Sequence, residues 1–176
     1  MKFRATTVAD VATIVQMLDD AKGYLASQHI NQWQMGYPNE SSILLDIQAG
    51  ESYVLEIGDE IVGSTALSFV KEETYEVIEG SWLSDEPYAV LHRVVVADAH
   101  KGKGYGSLML KAAQTHCMNR GIKSIKIDTH EENLSMQCLV LKNNYTYCGV
   151  IYLMHGVEAG QKRLAYEWCG ISSKSE

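Results

Sequence analysis

The sequence predicts an α/β (α+β) protein with one mixed central sheet of about six to seven strands and about four flanking helices. Three observations support this prediction: four segments with helical periodicity, seven apolar or alternating segments, and the interleaving of the two kinds along the chain. The chain has 176 residues, of which 46% are hydrophobic. Because that length and composition suit one core, we expect a single domain over residues 1–171 and a loose tail over 172–176.

Seven segments are predicted to be strands, because they are rich in β-forming residues, alternate with period two or flank a turn signal. Their ranges are 2–6, 52–57, 60–70, 88–97, 122–128, 146–154 and 162–168. Gly58-Asp59 is a hairpin signal between the second and third ranges. In the central range, 88–97, period two assigns alternate residues to opposite faces. One face is predicted to hold Val90, His92, Val94 and Val96, and the other Leu91, Arg93 and Val95.

Four segments are predicted to be helices, from apolar residues that recur every three or four positions or from signals at the ends of the segment. The first follows residue 10 and ends before His29, and the second runs from a cap at Asn39 to a closing Gly50. The third spans about residues 104–119. The fourth is expected to present one stripe, made of Leu134, Cys138, Leu141 and Tyr145.

Charge and composition argue against several classes of protein. The formal net charge is −7, the pI is near 5.3, and no long basic run is present, which argues against a nucleic-acid-binding protein. No apolar stretch is long enough to span a bilayer, and residues 1–4 do not lead into a signal-peptide core, so we expect a cytoplasmic protein without a membrane partner. The four cysteines include no C-x-x-C pair, so neither a zinc site nor a disulfide framework is expected.

Residues 100–107 hold three glycines between an apolar strand and a helix. Glycine lets a backbone approach an anion, and the first turn of a helix offers unpaired N–H groups and a positive dipole end. Lys101 and Lys103 add positive charge at this place. The spacing excludes a Walker loop, because no lysine follows Gly104, and a dinucleotide-binding motif, because Ser107 stands where a third glycine is needed.

Residues 101–106 resemble a motif of the GNAT superfamily of acyl-CoA N-acyltransferases, namely a basic or amide residue, two free positions, Gly, one free position, and Gly or Ala. Lys101 takes the place of the usual Arg or Gln. Residues 133–145 are similar to the family's segment Asn-x-x-Ala-x-x-Leu-Tyr-x-x-x-Gly-Phe. The order of the predicted strands and helices is also that of GNAT enzymes over almost the whole chain. Two motifs in the right order are more specific than either motif alone.

The resemblance implies a central strand that splays away from its neighbour, with acetyl-CoA or another short acyl-CoA bound at the gap. In this family the splayed strand pairs with the pantetheine arm, and the glycine loop holds the pyrophosphate. Asn133 resembles the asparagine that meets the cofactor, although a helix N-cap is an equally good interpretation. The expected cofactor-binding residues are Val94, Val95, Val96, Lys101, Gly102, Lys103, Gly104, Tyr105, Gly106, Ser107 and Asn133.

Two positions depart from the family pattern. Val140 stands where many members carry the tyrosine that protonates the departing thiolate, and valine cannot donate a proton. Ser135, Cys138 or a water remain as donors, and a thiolate with a reference pKa of about 8.5 can also leave without an acid. Val90 stands where histone-type members place a glutamate base, which argues against that mechanism.

His92 and His130 are the candidate catalytic bases. His92 is expected on the face of Val90, and His130 follows the strand beside the splay. An imidazole pKa near ~6.5 suits deprotonation of an amine through water at neutral pH. Either histidine has a structural role as its alternative. We expect no metal, because no third ligand has suitable spacing.

The expected activity is transfer of an acetyl group from acetyl-CoA to a primary amine of a small molecule or peptide, by direct attack in a ternary complex. Trp33 and Tyr37 are expected to bind the acceptor, with cover of the core edge as the alternative. Residues 71–88 hold six acids and one lysine, which predicts either a solvated face or a funnel for a cationic acceptor. A non-catalytic acyl-CoA-binding module and a nucleotide-binding regulator are the alternative functions. The sequence leaves open the acceptor and whether the protein is a homodimer.

Overall fold

The computed structural model describes residues 1–170, so the predicted tail over 172–176 lies outside the described residues. The strands are β1 Lys2–Ala5, β2 Ser52–Ile57, β3 Glu60–Ser68, β4 Glu79–Gly80, β5 Tyr88–Val96, β6 Ser124–Thr129, β7 Thr146–Tyr152 and β8 Lys162–Cys169. The α-helices are α1 Val11–Ser27, α2 Glu40–Ala49, α3 Tyr105–Asn119 and α4 Leu134–Lys142. The eight strands form one sheet in the order β1-β2-β3-β5-β6-β8-β7-β4. Only β5 and β6 pair in parallel; the other neighbours are antiparallel.

The predicted mixed α/β architecture is confirmed, but the sheet has eight strands, whereas six to seven were expected. The additional strand, β4, is two residues long and lies in the acidic segment, where no apolar pattern marks it. Its pairing with β7 depends on two glycines. A Cβ on Gly80 would lie 2.1 Å from the Cys148 carbonyl oxygen, and one on Gly149 would lie 2.2 Å from that of Glu79. The two backbones therefore approach too closely for a side chain at either position.

The signals that predicted α2 are confirmed at both of its ends. The Asn39 side chain accepts a hydrogen bond from the Ser42 N–H at 3.1 Å, and the Ser42 hydroxyl accepts one from the Asn39 N–H at 2.9 Å. This reciprocal pair satisfies two backbone donors at the start of the helix. Gly50 ends the helix with φ of 73°, a conformation that favours glycine.

The helices cover the sheet on two sides. α1 and α2 pack together on Val54 and Val95 through a cluster of buried residues: Val11, Ile14, Met17, Leu18 and Ile43. α3 and α4 pack on Leu91 and Ile125 through a second cluster, to which they contribute Leu110, Ala113, Cys117 and Val140. Among residues 1–170, no helix has the length and apolar character that crossing a membrane requires.

A bulge interrupts β5 at Arg93, which has φ of 52°. Ser64 of β3 lies opposite Val95 of β5, but Ala66 lies opposite His92, so β5 contains one more residue than β3 at this place. Such a bulge turns the following side chains to the other face of the sheet.

The predicted faces of β5 are therefore wrong beyond His92. Val94 and Val96 pack with Met109 of α3, on the side of Leu91, whereas Val95 packs against α1 and α2. The uninterrupted alternation assumed from the sequence had placed Val94 and Val96 on the same face as His92. The added residue at the bulge shifts the alternation by one.

The predicted stripe of α4 is also wrong. Leu134 is 66% exposed, Leu141 is 53% exposed and Cys138 is exposed, whereas Val140 is 1% exposed in the core. Tyr145 is buried, but it lies beyond the end of the helix. This nine-residue helix lines a surface cleft with part of its length. It contacts the core only through Val140 and the partly buried Met136 and Leu139.

Candidate active site

The predicted splay lies between β5 and β6. These strands pair only where Tyr88–Val90 lies opposite Ser124–Lys126, although β5 continues to Val96 and β6 to Thr129. Beyond Val90, the β5 backbone groups on the edge toward β6 have no strand partner in the described part of the chain. Two cavities adjoin the gap and share four lining residues: Trp33, Val94, Asn133 and Met136.

The first cavity, the glycine-loop cleft, has a volume of about 530 Å³. It runs from the splay along β5 to the start of α3. Ten of the eleven expected cofactor-binding residues line it: Val94, Val95, Val96, Lys101, Gly102, Gly104, Tyr105, Gly106, Ser107 and Asn133. Lys103 is exposed and is not among its lining residues.

The glycine loop leaves open space in front of the first turn of α3. Gly102 and Gly104 have φ of 77° and 85°, and a Cβ on either would meet no atom within 4 Å. Gly104 is the N-cap residue of α3, and no side chain in residues 1–170 caps this helix end. Its first N–H groups are therefore available to an anion. Gly106 instead allows close packing, because a Cβ there would lie 3.2 Å from the Leu139 side chain.

Two residues of the cleft have additional partners. The Lys101 Nζ lies 2.5 Å from an Asp98 carboxylate oxygen and 4.8 Å from the centre of the Tyr24 ring. The Asn133 side chain accepts a hydrogen bond from the Met136 N–H at 3.1 Å and donates one to the Gln32 amide oxygen at 2.9 Å. The N-cap interpretation of Asn133 is thus correct, and the residue lies at the junction of both cavities.

The sequence reasoning missed Tyr24, which lines the cleft from α1. Its hydroxyl lies 3.4 Å from the Ser135 hydroxyl, and both Ser135 and Cys138 line the same cleft. Val140, by contrast, is buried away from it. No local signal marks Tyr24, because the tertiary fold brings α1 to the glycine loop.

The second cavity, the strand-end cavity, has a volume of about 500 Å³ and lies on the other side of the junction. Both expected acceptor-binding residues, Trp33 and Tyr37, line it. Its acidic, basic and histidine lining residues are Glu72, His92, Arg93, Asp128, His155, Glu158 and Arg163. Among residues 1–170, no group of three or more His, Cys, Asp or Glu side chains is arranged to hold a metal ion.

The two candidate bases occupy different surroundings. His92 lines the strand-end cavity, and its Nε2 lies 3.6 Å from a Glu72 carboxylate oxygen. This contact with His92 lowers the pKa of Glu72 to about 2. His130 lines neither cavity, and its Nδ1 accepts a hydrogen bond from the Glu132 N–H at 3.2 Å. Burial, together with the charge of Arg163, lowers the pKa of His130.

Hydrogen bonds to charged side chains fix the loop that carries Trp33 and Tyr37. The Arg93 guanidinium binds both carboxylate oxygens of Asp46, at 3.0 and 2.6 Å, and also donates to the Tyr37 hydroxyl. The Trp33 N–H donates to Glu158 at 2.6 Å. The loop is therefore tied to the bulge of β5 at one point and to the β7–β8 connection at another.

Of the six acids in the segment 71–88, only Glu72 lines the strand-end cavity, together with the uncharged Thr74 and Tyr75 of the same segment. Glu73 pairs with His155 at 2.7 Å, and Glu76 pairs with Lys71 at 2.6 Å. These pairs are exposed. The buried Tyr75 between them donates from its hydroxyl to Asp128 at 2.7 Å. The segment is thus partly a solvated face and partly a wall of the cavity.

The chain matches a known family over most of its length. The model of the acetyltransferase (GNAT) family matches residues 18–145. The chain belongs to this family. Both motifs that suggested the resemblance, residues 101–106 and 133–145, lie within the matched range.

Solved structures support the same assignment. An acetyltransferase of the GNAT family from Streptococcus agalactiae is 28% identical, with a TM-score of 0.86, and the match covers 97% of this chain and 96% of that one. A GNAT-family acetyltransferase from Listeria monocytogenes is 17% identical, with a TM-score of 0.70 and coverage of 94% and 92%. YncA from Salmonella typhimurium, solved with its cofactor acetyl-CoA, is 17% identical, with a TM-score of 0.68 and coverage of 100% and 97%. The last two show a shared fold. A comparison with curated proteins found no match.

Proposed function

We propose that this GNAT-family protein is an acetyl-CoA-dependent N-acetyltransferase that acts on a primary amine by direct attack in a ternary complex. The observation that supports this most strongly is the junction at Trp33, Val94, Asn133 and Met136, where two cavities meet at the splay. Two separate cavities with a shared wall allow a donor and an acceptor to be bound at the same time. Members of the family use acetyl-CoA as the acyl donor.

The glycine-loop cleft suits the cofactor. The unpaired backbone of β5 beyond Val90 offers N–H and C=O groups to the amides of a pantetheine arm. The open space in front of Gly102 and Gly104, with the uncapped N-terminus of α3, suits a pyrophosphate. Bound acetyl-CoA supplies an acetyl group activated as a thioester.

We assign the strand-end cavity to the acceptor and the role of base to His92. An amine reacts only when it is neutral, so a base that removes its proton increases the reactive fraction. His92 lines the cavity, and the ionised Glu72 carboxylate beside it stabilises the imidazolium that forms. His130 lies outside the cavity and serves as the alternative.

The chain does not place a proton donor at the family's tyrosine position. The Tyr24 and Ser135 hydroxyls in the cleft are the side chains that we consider for protonation of the departing thiolate. A thiolate with a reference pKa of about 8.5 is also a fair leaving group without an acid. All four cysteines are free, which agrees with the cytoplasmic location that we propose.

Two measurements test this proposal. Calorimetry should detect binding of acetyl-CoA, and a thiol assay should detect CoA release that requires both the protein and an amine. Binding without amine-dependent release over a panel of amines would instead support the acyl-CoA-binding module. Affinity for ATP that acetyl-CoA does not compete away would support the nucleotide-binding regulator.

A further inference from the structure

Asp46 is a buried carboxylate that no step of the proposed mechanism uses. It lies on α2 and lines neither cavity. Burial raises the pKa of Asp46, although the positive charge of Arg93 opposes the shift. Because a buried carboxylate is costly without a partner, the contact with Arg93 decides what Asp46 does in the fold.

The contact with Asp46 fixes the orientation of the Arg93 side chain. The Arg93 Nη2 and Nε donate to the two carboxylate oxygens of Asp46, at 2.6 and 3.0 Å. The two side chains are only 13% and 12% exposed. A guanidinium held by two parallel hydrogen bonds cannot turn out of the plane of the carboxylate. The direction of its third nitrogen, Nη1, is therefore fixed as well.

The Nη1 group of Arg93 holds Tyr37. It donates to the Tyr37 hydroxyl, and the guanidinium carbon lies 5.8 Å from the centre of the Tyr37 ring. Tyr37 belongs to the loop between α1 and α2 and lines the strand-end cavity, but it does not line the glycine-loop cleft. The chain of contacts from Asp46 through Arg93 to Tyr37 thus ends on the side of the acceptor alone.

The same contact compensates a positive charge at the wall of the cavity. Arg93 lines the strand-end cavity next to His92. An aliphatic amine reaches the site at pH 7 mostly as an ammonium ion, which an uncompensated guanidinium would repel. Pairing with Asp46 leaves Arg93 able to hold Tyr37 without that repulsion.

We propose that Asp46 is a positioning residue for the acceptor amine, which acts through Arg93 to fix the Tyr37 side chain at the wall of the strand-end cavity. The inference rests on the N-acetyltransferase function proposed above. None of the three residues lines the glycine-loop cleft, so binding of acetyl-CoA should not depend on them. A change at Asp46 is therefore expected to affect the acceptor and not the donor.

Asp46→Asn tests the inference, with butylamine as the acceptor and acetyl-CoA at saturation. Asparagine accepts through one oxygen only, so the guanidinium loses one of its two bonds and keeps an uncompensated charge. We expect the KM for butylamine to rise at least about tenfold, because one hydrogen bond to a charged group is worth about that factor. The Kd for acetyl-CoA should stay unchanged. An unchanged KM would overturn the inference.

Asp10→Asn is the matched control. Asp10 is also buried and also binds an arginine, Arg4, through both carboxylate oxygens, but neither residue lines a cavity. Its replacement should lower the melting temperature and leave the KM for butylamine as in the parent. An equal rise of KM in Asp46→Asn and Asp10→Asn would attribute the effect to lost stability and would overturn the inference.

Two further variants separate orientation from charge. Tyr37→Phe removes one hydroxyl and leaves the ion pair intact, so it keeps the inference testable if Asp46→Asn does not fold. Arg93→Lys keeps the positive charge but cannot bind Asp46 and Tyr37 in the same fixed geometry. Both variants should raise the KM for butylamine several-fold, with the Kd for acetyl-CoA retained. A parent-like KM in either variant would contradict positioning through Arg93.

Failure of this inference can be distinguished from failure of the proposed function. Acetylation of butylamine with a parent-like KM in Asp46→Asn would leave the function in place and overturn the inference. If no amine released CoA, the proposed function would fall, and hydrogen exchange of the Trp33 N–H, which Glu158 holds at 2.6 Å on the same loop, would decide the inference. Exchange at least about tenfold faster in Tyr37→Phe than in the parent supports it, and equal exchange overturns it.

Discussion

The Nε2 atom of His92 lies 3.6 Å from a carboxylate oxygen of Glu72, at the wall of the strand-end cavity. The two residues come from different places: His92 from the central strand and Glu72 from the acidic segment that precedes it. In the proposed mechanism, His92 takes a proton from an amine in the cavity, and Glu72 compensates the charge that forms.

Replacement of His92 tests its role as base. His92→Gln keeps size and hydrogen bonding but removes titration, so we expect kcat/KM to fall by about 10²- to 10⁴-fold with acetyl-CoA affinity retained. The inflection that a histidine base produces in the pH profile should disappear. Glu72 cannot cause that inflection, because contact with His92 holds the pKa of Glu72 at about 2. His130→Gln is the matched control. Loss of the inflection in the control and not in His92→Gln would move the role to His130.

Replacement of Gly104 tests the anion site. Gly104→Glu places a side chain and a negative charge in the open space at the start of α3, so the Kd for acetyl-CoA should rise at least about tenfold. Gly121→Glu, measured by the same calorimetry, is the control, because Gly121 also has positive φ, of 76°, and open space but follows the other end of α3. Equal affinities in the two variants would contradict a pyrophosphate at Gly104.

Replacement of Trp33 distinguishes a role in the site from a role as cover for the core. Trp33 lines both cavities, so Trp33→Ala should raise both the Kd for acetyl-CoA and the KM for an amine by about tenfold or more. Tyr152→Ala, at a half-exposed aromatic residue outside both cavities, should change neither. A lower melting temperature of Trp33→Ala with unchanged Kd and KM would support the cover interpretation.

The pair of Arg4 and Asp10 predicts a pH-dependent contribution to stability. Arg4 binds both carboxylate oxygens of Asp10, at 2.8 and 3.1 Å, and the pair, with Thr7, lowers the pKa of Asp10 from 3.8 to about 2. A folded-state pKa below the unfolded value stabilises the fold above pH 4, and this contribution is lost as the pH falls from about 4 to about 2.

Asp10→Asn should therefore lower the free energy of unfolding by up to about 2 kcal/mol at pH 7, and the difference from the parent should narrow as the pH falls from 4 to 3. Urea denaturation at several pH values measures this. Asp19→Asn, at a surface pair with Lys22, should have little effect at either pH. A difference that does not depend on pH would contradict the charge-based explanation for Asp10.

Local signals predicted much of the fold, because their physical causes are local. Asn39 and Gly50 marked the ends of α2 through capping and positive φ, and both were correct. The bulge at Arg93 was not predictable from alternation, because the αL conformation of a non-glycine residue is maintained by tertiary contacts, here the bonds to Asp46 and Tyr37.

The sequence motifs predicted more of the residues that line the glycine-loop cleft than of those that line the strand-end cavity. The glycine loop is contiguous in sequence, so one pattern identified most of its residues. Thr129, Glu158 and Arg163 line the same cavity as Glu72 only because of the order of the strands in the sheet. No spacing in the sequence indicated that they share a cavity.

Initial rates of CoA release, with acetyl-CoA and an amine varied together, test the central claim most directly. The claim is that the glycine-loop cleft and the strand-end cavity hold donor and acceptor at the same time. It predicts intersecting double-reciprocal lines and no CoA release without an amine. Parallel lines, with release abolished in Cys138→Ser, would indicate an acyl-enzyme on that cleft cysteine and would contradict direct attack in a ternary complex.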